Sequence, residues 1–422
     1  MIFYFIILPY LFTYIYCIIK LDFFKKNSTI YDFENDTIFS NYYSKISVGT
    51  PSLEIESFIT LESNSLYITQ GLIYNSNSSS SYLELKPEES HFSREKFEKA
   101  ILSSETFLLF DNNKKTKTEN IQFMLATKTS IYQKEYPMSI GLKAKDSIMK
   151  DYNLIYQLKK NNYIQSYSFT IIFEDENKGK ILIGGIPHEY DDQNYFSGAF
   201  RYTNICVTSH THYWEFTIEH IYCNNEIIEN NKVGHFSMDY GVLIGTNHYK
   251  DIIYKQFFNE KIESKICKMN STKKEHFFYL NCNENLDITK FPSLKFESKI
   301  LNYTFELNYT DLFKKENDGS YSFLIIFDIY MNTDWVLGIP FFKKYQFIFD
   351  QDREIIGFYI YKLNNNNISL SEILSIIFLF IIIILTVLYL RVLLKKKRKI
   401  RVNELDENFD YIPFKKKSIN DN

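Results

Sequence analysis

Glycine and proline are scarce, 13 and 8 among 422 residues, and the chain has only two Trp, five Cys and eight His. So little glycine and proline excludes collagen-like repeats and low-complexity linker chains. The 48 Lys and Arg nearly balance 51 Asp and Glu, which removes the basic footprint that a nucleic-acid partner requires. Neither the cysteines nor the histidines show CxxC or mixed Cys/His spacing, so the sequence predicts no metal and no other cofactor. Aromatic side chains are what is abundant: 34 Tyr and 38 Phe. They favour strands and a large core over a helical bundle.

Charge is divided unevenly. Arg391 to the C-terminus carries 10 basic and 5 acidic residues, which leaves 38 basic against 46 acidic in the preceding part. Between the two lies Ile373–Leu390, an uncharged run of 18 residues that as a helix would cover roughly 27 Å, close to a hydrocarbon core. Lys395–Lys399 and Arg401 follow at once, and by the positive-inside rule they place the tail in the cytosol. The expectation is a transmembrane helix over 373–394 and a cytosolic tail over 395–422. At the other end, residues 1–19 contain no charge and precede Lys20, as a secretory signal or an uncleaved anchor would. The sequence therefore predicts a type I single-pass membrane protein of the secretory or endosomal pathway or the cell surface.

Four cysteines, Cys206, Cys223, Cys267 and Cys282, fall in the intervening region and allow three pairings of two disulfides; the local set Cys206–Cys223 and Cys267–Cys282 is preferred. Seven N-x-S/T sequons (Asn27, Asn35, Asn77, Asn270, Asn302, Asn308 and Asn367) precede the apolar run and none follows it, which agrees with a glycosylated ectodomain. Between about 41 and 362 short β-rich runs alternate with turns, among them Ser57–Leu61, Ser168–Glu174 and Ile355–Tyr361. Such a length predicts two lobes, 41–195 and 196–362. The polar stretches Asn75–Ser81, Asp111–Asn120 and Asn364–Asn367 read as loops or a stalk.

Several of these segments resemble the pepsin-like aspartic proteases, in the family's order. Asn41–Pro51 is similar to the strand ending in I-G-T-P. Phe58-Ile-Thr-Leu-Glu-Ser-Asn-Ser-Leu-Tyr-Ile68 resembles V-I-F-D-T-G-S-S-N-L-W-V, and Ile140-Gly141-Leu142 resembles the hydrophobic-hydrophobic-Gly that threads this loop. Ile181–Ile186, Tyr213–Ile218, Cys282 with Phe291–Phe296, and Trp335–Phe342 with Phe349-Asp350 and Ile356–Phe358 complete the series. The resemblance implies an all-β, bilobal pepsin-like fold. It also implies a pair of aspartates, one per lobe, that share a proton and activate a water.

The loops depart from that pattern. Counting without a gap from Pro51 places Thr60 at the first catalytic aspartate and Glu62 at the following glycine. Phe236–Gly245 resembles A-I-V-D-T-G-T-S-L-I with one residue fewer, which makes Asp239 the only retained dyad position. Thr60 cannot ionise near neutral pH, and Glu62, two residues along a tight loop, is not expected to replace the missing acid. His91–Arg94 stands where the family's Tyr-Gly flap belongs, with neither residue. His235, His210 and His212 are read as solvated or satisfied, and Trp214 and Trp335 as core or interlobe filler.

The expected function is that of a catalytically inactive peptidase homologue whose cleft binds an extended peptide or protein ligand. The alternatives are an active aspartic-type endopeptidase with an unusual first carboxylate and a receptor-like surface protein. In the tail, Tyr411-Ile-Pro-Phe414 has the Tyr-x-x-apolar form of an endocytic sorting signal, and Pro413 biases Ile412 to the extended backbone such a signal needs. Tyr411→Ala is expected to raise the plasma-membrane fraction in surface labelling; an unchanged distribution would leave the motif without a role.

Overall fold

The computed structural model describes residues 18–26, 37–40, 42–89, 97–111, 114–129, 136–143, 152–206, 214–272, 277–328, 334–360, 382 and 384–394. Alternation builds its strands: in β12 (Glu215–Cys223) and β17 (Leu294–Ser298) buried side chains recur about every second residue, as expected where one sheet face meets the core. The first half of the chain forms β1 (Ile19–Lys25), β2 (Tyr42–Val48), β3 (Leu53–Thr60), β4 (Leu66–Thr69), β5 (Leu83–Glu89), β6 (Phe97–Asp111), β7 (Lys114–Thr129), β8 (Met138–Gly141), β9 (Ser168–Phe173) and β10 (Lys178–Ile183). The second half forms β11 (Phe200–Asn204), β12, β13 (Glu226–Phe236), β14 (Leu243–Gly245), β15 (Cys267–Ser271), β16 (Phe277–Cys282) and β17. It continues through β18 (Tyr303–Leu307), β19 (Phe313–Lys315), β20 (Tyr321–Phe323), β21 (Ile325–Asp328), β22 (Trp335–Leu337), β23 (Phe347–Asp350) and β24 (Ile355–Tyr359).

Two sheets result. The first has 13 strands in the order β11-β24-β23-β9-β10-β1-β2-β3-β8-β4-β7-β6-β5, and the second, of 11 strands, belongs to the second lobe. The fold is thus all-β and bilobal, as expected. The lobes are stitched where β23 from the end of the chain pairs antiparallel with β9, Phe349 opposite Phe169. Those two rings stack at 5.0 Å, and the fully buried Trp214 packs on both. Trp214 Nε1 also donates to Leu142 O of the first lobe at 2.7 Å, so this tryptophan is an interlobe tie as well as filler.

Three expectations change. The first lobe includes residues ahead of 41: β1 lies between β10 and β2, with Ile19, Leu21 and Phe23 buried, so Ile19–Lys25 is part of its sheet. Residues 114–120 of the 111–120 stretch are strand and not loop, because β7 pairs with β6 from Phe97↔Thr129 to Asp111↔Lys114; ladder hydrogen bonds there outweigh the polar composition. Cys206 and Cys223 are not joined. Cys206 lies beside Thr217, whose hydroxyl donates to its Sγ at 3.7 Å, while Cys223 ends β12; six residues of strand hold them about 20 Å apart.

Cys267–Cys282 does form, across paired positions of β15 and β16. Residues 363–422 make a second unit, in which residues 384–394 are helical with apolar side chains exposed, among them Leu385, Leu388 and Val392. Among the described residues no helix is long and apolar enough to cross a membrane, and residues 373–381 and 383 of the expected span lie outside the described set. Non-reducing peptide mapping should recover the Cys267–Cys282 pair. Cys206 should be alkylated in the folded protein and Cys223 only after unfolding, because burial raises the Cys223 thiol to a pKa of about 11. A Cys206–Cys223 peptide would contradict this arrangement. Cys282→Ser should cost roughly 3 kcal/mol, the chain-entropy value for a loop of this size.

Candidate functional site: two hydroxyls at the cleft floor

Each lobe builds its half of the site from three strands. In the first, β8 runs parallel to β3 with Thr60 opposite Gly141, and β4 returns antiparallel on its other edge with Leu66 opposite Ile140. Gly141 is obligatory, because a Cβ there would lie 2.4 Å from Ser63 O. Asn153, which caps the helix Leu154–Lys160 through Tyr156 N–H at 3.0 Å, donates to Gly141 O at 3.2 Å and fixes the crossing.

The second lobe repeats the design. β22 runs parallel to β13 with Phe236 opposite Leu337, and β14 returns with Ile244 opposite Val336. Gly338 is threaded like Gly141: a Cβ would meet Val242 O at 2.0 Å and Tyr240 O at 2.6 Å. One residue further along this register sets Ser237 at Gly338, as Thr60 stands at Gly141. Local hydrogen bonds agree, since Thr60 Oγ1 accepts from Glu62 N–H at 2.9 Å and Ser237 Oγ accepts from Asp239 N–H at 3.2 Å. The counterpart of Thr60 is therefore Ser237. Asp239, expected at the second dyad position, sits two residues on, at the counterpart of Glu62, and the loop lacks no residue.

Both loops thus carry a buried hydroxyl followed by an acid: Thr60 and Ser237 are 2 % and 0 % exposed. Neither Glu62 nor Asp239 has a positive φ, so occupying a glycine position strains neither. Gly241, which imitated the family's glycine in sequence, has another duty. Residues 37–40 cross the loop here, with Gly241 N–H donating to Ile38 O and Ser40 N–H to Asp239 O, each at 2.8 Å, and a Cβ on Gly241 would lie 2.2 Å from Thr37 O.

Glu62 reaches across the cleft. Its Oε1 lies 2.9 Å from His235 Nε2, and His235 Nδ1 lies 3.6 Å from Glu215 Oε1, its neighbour across the β12–β13 ladder. Burial by itself favours neutral imidazole, but the hydrogen bonds and charges of Glu215 and Glu62 outweigh it and raise the His235 pKa to about 9. Burial likewise opposes ionisation of Glu62; the hydrogen bond and charge of His235 overcome it, with Ser237 and Lys143 adding, and the pKa falls below its ordinary value. His235 is thus satisfied, as expected, but by an ion pair that ties one lobe to the other. His210, His212 and the flap position His91–Arg94 lie outside the described residues. Among the described residues no group of His, Cys, Asp and Glu is arranged to hold a metal.

A family profile described as eukaryotic aspartyl protease matches residues 41–359. Plasmepsin I of Plasmodium falciparum (isolate 3D7) is 25 % identical over 252 residues, 57 % of this chain and 50 % of that protein. Plasmepsin IV of the same isolate is 27 % identical over 234 residues, 54 % and 46 % of the two. The chain thus spans about half the length of these curated relatives. Among solved structures, basic 7S globulin from soybean superposes with TM-score 0.62 at 15 % identity, covering 82 % of this chain and 96 % of that one. Conglutin gamma from lupine seeds gives 0.63 at 14 %, with the same coverage.

The pair has a pH signature. The raised His235 pKa means its contribution to stability is complete below 6.5 and is lost as pH rises through about 9; the lowered Glu62 pKa means its contribution is complete above 4.5 and is lost in acid. Glu62→Gln should therefore destabilise by about 2 kcal/mol between pH 4.5 and 6.5, shrinking towards pH 10, in urea unfolding. A penalty independent of pH would remove the ion pair from the account. The threaded loops of both lobes and the profile match over 41–359 make this chain a member of the eukaryotic aspartyl protease family.

Proposed function

We propose that this protein is a catalytically inactive, membrane-anchored member of the family whose interlobe cleft holds an extended peptide or protein segment by strand-like hydrogen bonds. One observation carries the reading: both positions that need a proton-sharing carboxylate hold hydroxyls, Thr60 and Ser237. A hydroxyl neither ionises near neutral pH nor accepts the proton of an attacking water as a carboxylate does. The acid beside Thr60 is engaged as well, since Glu62 is neutralised by His235. Anchoring rests on the apolar run 373–390 and the basic residues after it, with the folded lobes on the lumenal or extracellular side.

A second reading has its own support. An acid stands two residues after the hydroxyl in both loops, and an active endopeptidase would need Glu62 and Asp239 to act together as a displaced carboxylate couple. Full-length protein in detergent, incubated with denatured casein across pH 3–7 with and without a pepstatin-type inhibitor, separates the two. The proposal predicts no inhibitor-sensitive cleavage and retention of casein peptides on immobilised protein. Cleavage abolished by both Glu62→Gln and Asp239→Asn would establish the displaced couple and overturn the inactive reading.

A further inference from the structure

A cavity of about 850 Å³ opens on the far side of Gly241, where the end of β1, the β9–β10 turn, the 37–40 segment and the helices Tyr309–Leu312 and Ile339–Lys344 meet. Its charge is lopsided for a chain of net charge −3: Lys25, Lys314, Lys315, Lys343 and Lys344 line it, against Glu176, Asp311 and Glu316. Two of the acids are already used, Asp311 by Lys344 at 2.6 Å and Glu316 by Lys314 at 2.8 Å. Lys343 makes no ion pair among the described residues, and Lys315 has only the Tyr321 ring, 5.9 Å from its Nζ.

An unmet buried hydroxyl lies in the wall of the same cavity. Ser40 lines the cavity, is 3 % exposed, and its Oγ has no hydrogen-bond partner. A buried hydroxyl without a partner costs stability unless something fills the role. Although Lys343 reaches solvent, desolvation of its ammonium lowers its pKa; the charges of Glu176 and Asp175 oppose this and that of Lys314 adds to it, and the lowering prevails, so a further anion beside it would be favoured.

We propose that this cavity binds a small phosphate-bearing anion, seated against the Lys315 and Lys343 ammonium groups and the Ser40 hydroxyl. Phosphate fits better than a carboxylate because two lysines acting as point charges with a hydroxyl donor match a compact, multiply charged group. The site is separate from the cleft floor and does not depend on whether the protein cleaves peptides.

Isothermal titration of the full-length protein in detergent with inorganic pyrophosphate tests it. Saturable binding is expected, weakened at least tenfold in the Lys315→Ala/Lys343→Ala double variant, severalfold by Ser40→Ala, and kept by Lys343→Arg. Both lysines are exposed, so the double variant should fold, which circular dichroism and the melting temperature verify. Competition by short-chain dioctanoyl phosphatidic acid against pyrophosphate, in the same detergent, identifies the source. A lipid that binds at least tenfold more tightly than pyrophosphate, with the gain lost in the double variant, assigns the phosphate to a lipid headgroup, and pyrophosphate binding without that gain assigns it to a soluble ligand. No binding in either arm, or binding that the double variant retains in full, overturns the proposal.

Discussion

Backbone crowding at two glycines governs this molecule. Gly141 and Gly338 each lie where one strand passes through the loop that precedes another, with no room for a Cβ. Because that crossing fixes strand register in each lobe, it decides which residues reach the cleft floor, whatever their chemistry. The threading makes no use of carboxylates. A chain can therefore keep the whole architecture, with Trp214 tying the lobes and Phe169 stacked on Phe349, while the side chains at the floor change.

In both loops an acid stands two residues after the hydroxyl. In a proton-sharing dyad two like charges about 3 Å apart force a shared proton. Here the hydroxyls of Thr60 and Ser237 accept the loop N–H groups of Glu62 and Asp239, so each tight turn keeps a hydrogen bond of its own. The acid of the first loop has an unlike charge to meet, since His235 comes from the second lobe and is itself supported by Glu215. A pair of this kind joins the loop of one lobe to a strand of the other and so opposes separation of the lobes at the floor.

Much of this was legible in the sequence because it is local. Thr60 follows from a gapless count after Pro51, Gly141 from its apolar neighbours, and Cys267–Cys282 from a short intervening loop. Ser237 was missed because Asp239-Tyr240-Gly241 imitates Asp-Thr-Gly; a gapless reading from Leu243 and Gly245 back to His235 contained the signal, and Gly241 is explained by Thr37 O instead. The Glu62–His235 pair joins residues 173 apart, which no local pattern reveals. β1 was hidden by the apolar run before it, although Ile19, Leu21 and Phe23 alternate with Lys20 and Asp22 as a half-buried strand should.

The central claim is that a charged pair, and not a proton-sharing dyad, closes the cleft floor, and the titration of His235 measures it directly. Following its imidazole resonances by NMR from pH 5 to 10.5, the account predicts a midpoint of about 9 that drops in Glu62→Gln. A midpoint near 6.5, or one unmoved by that substitution, would contradict it.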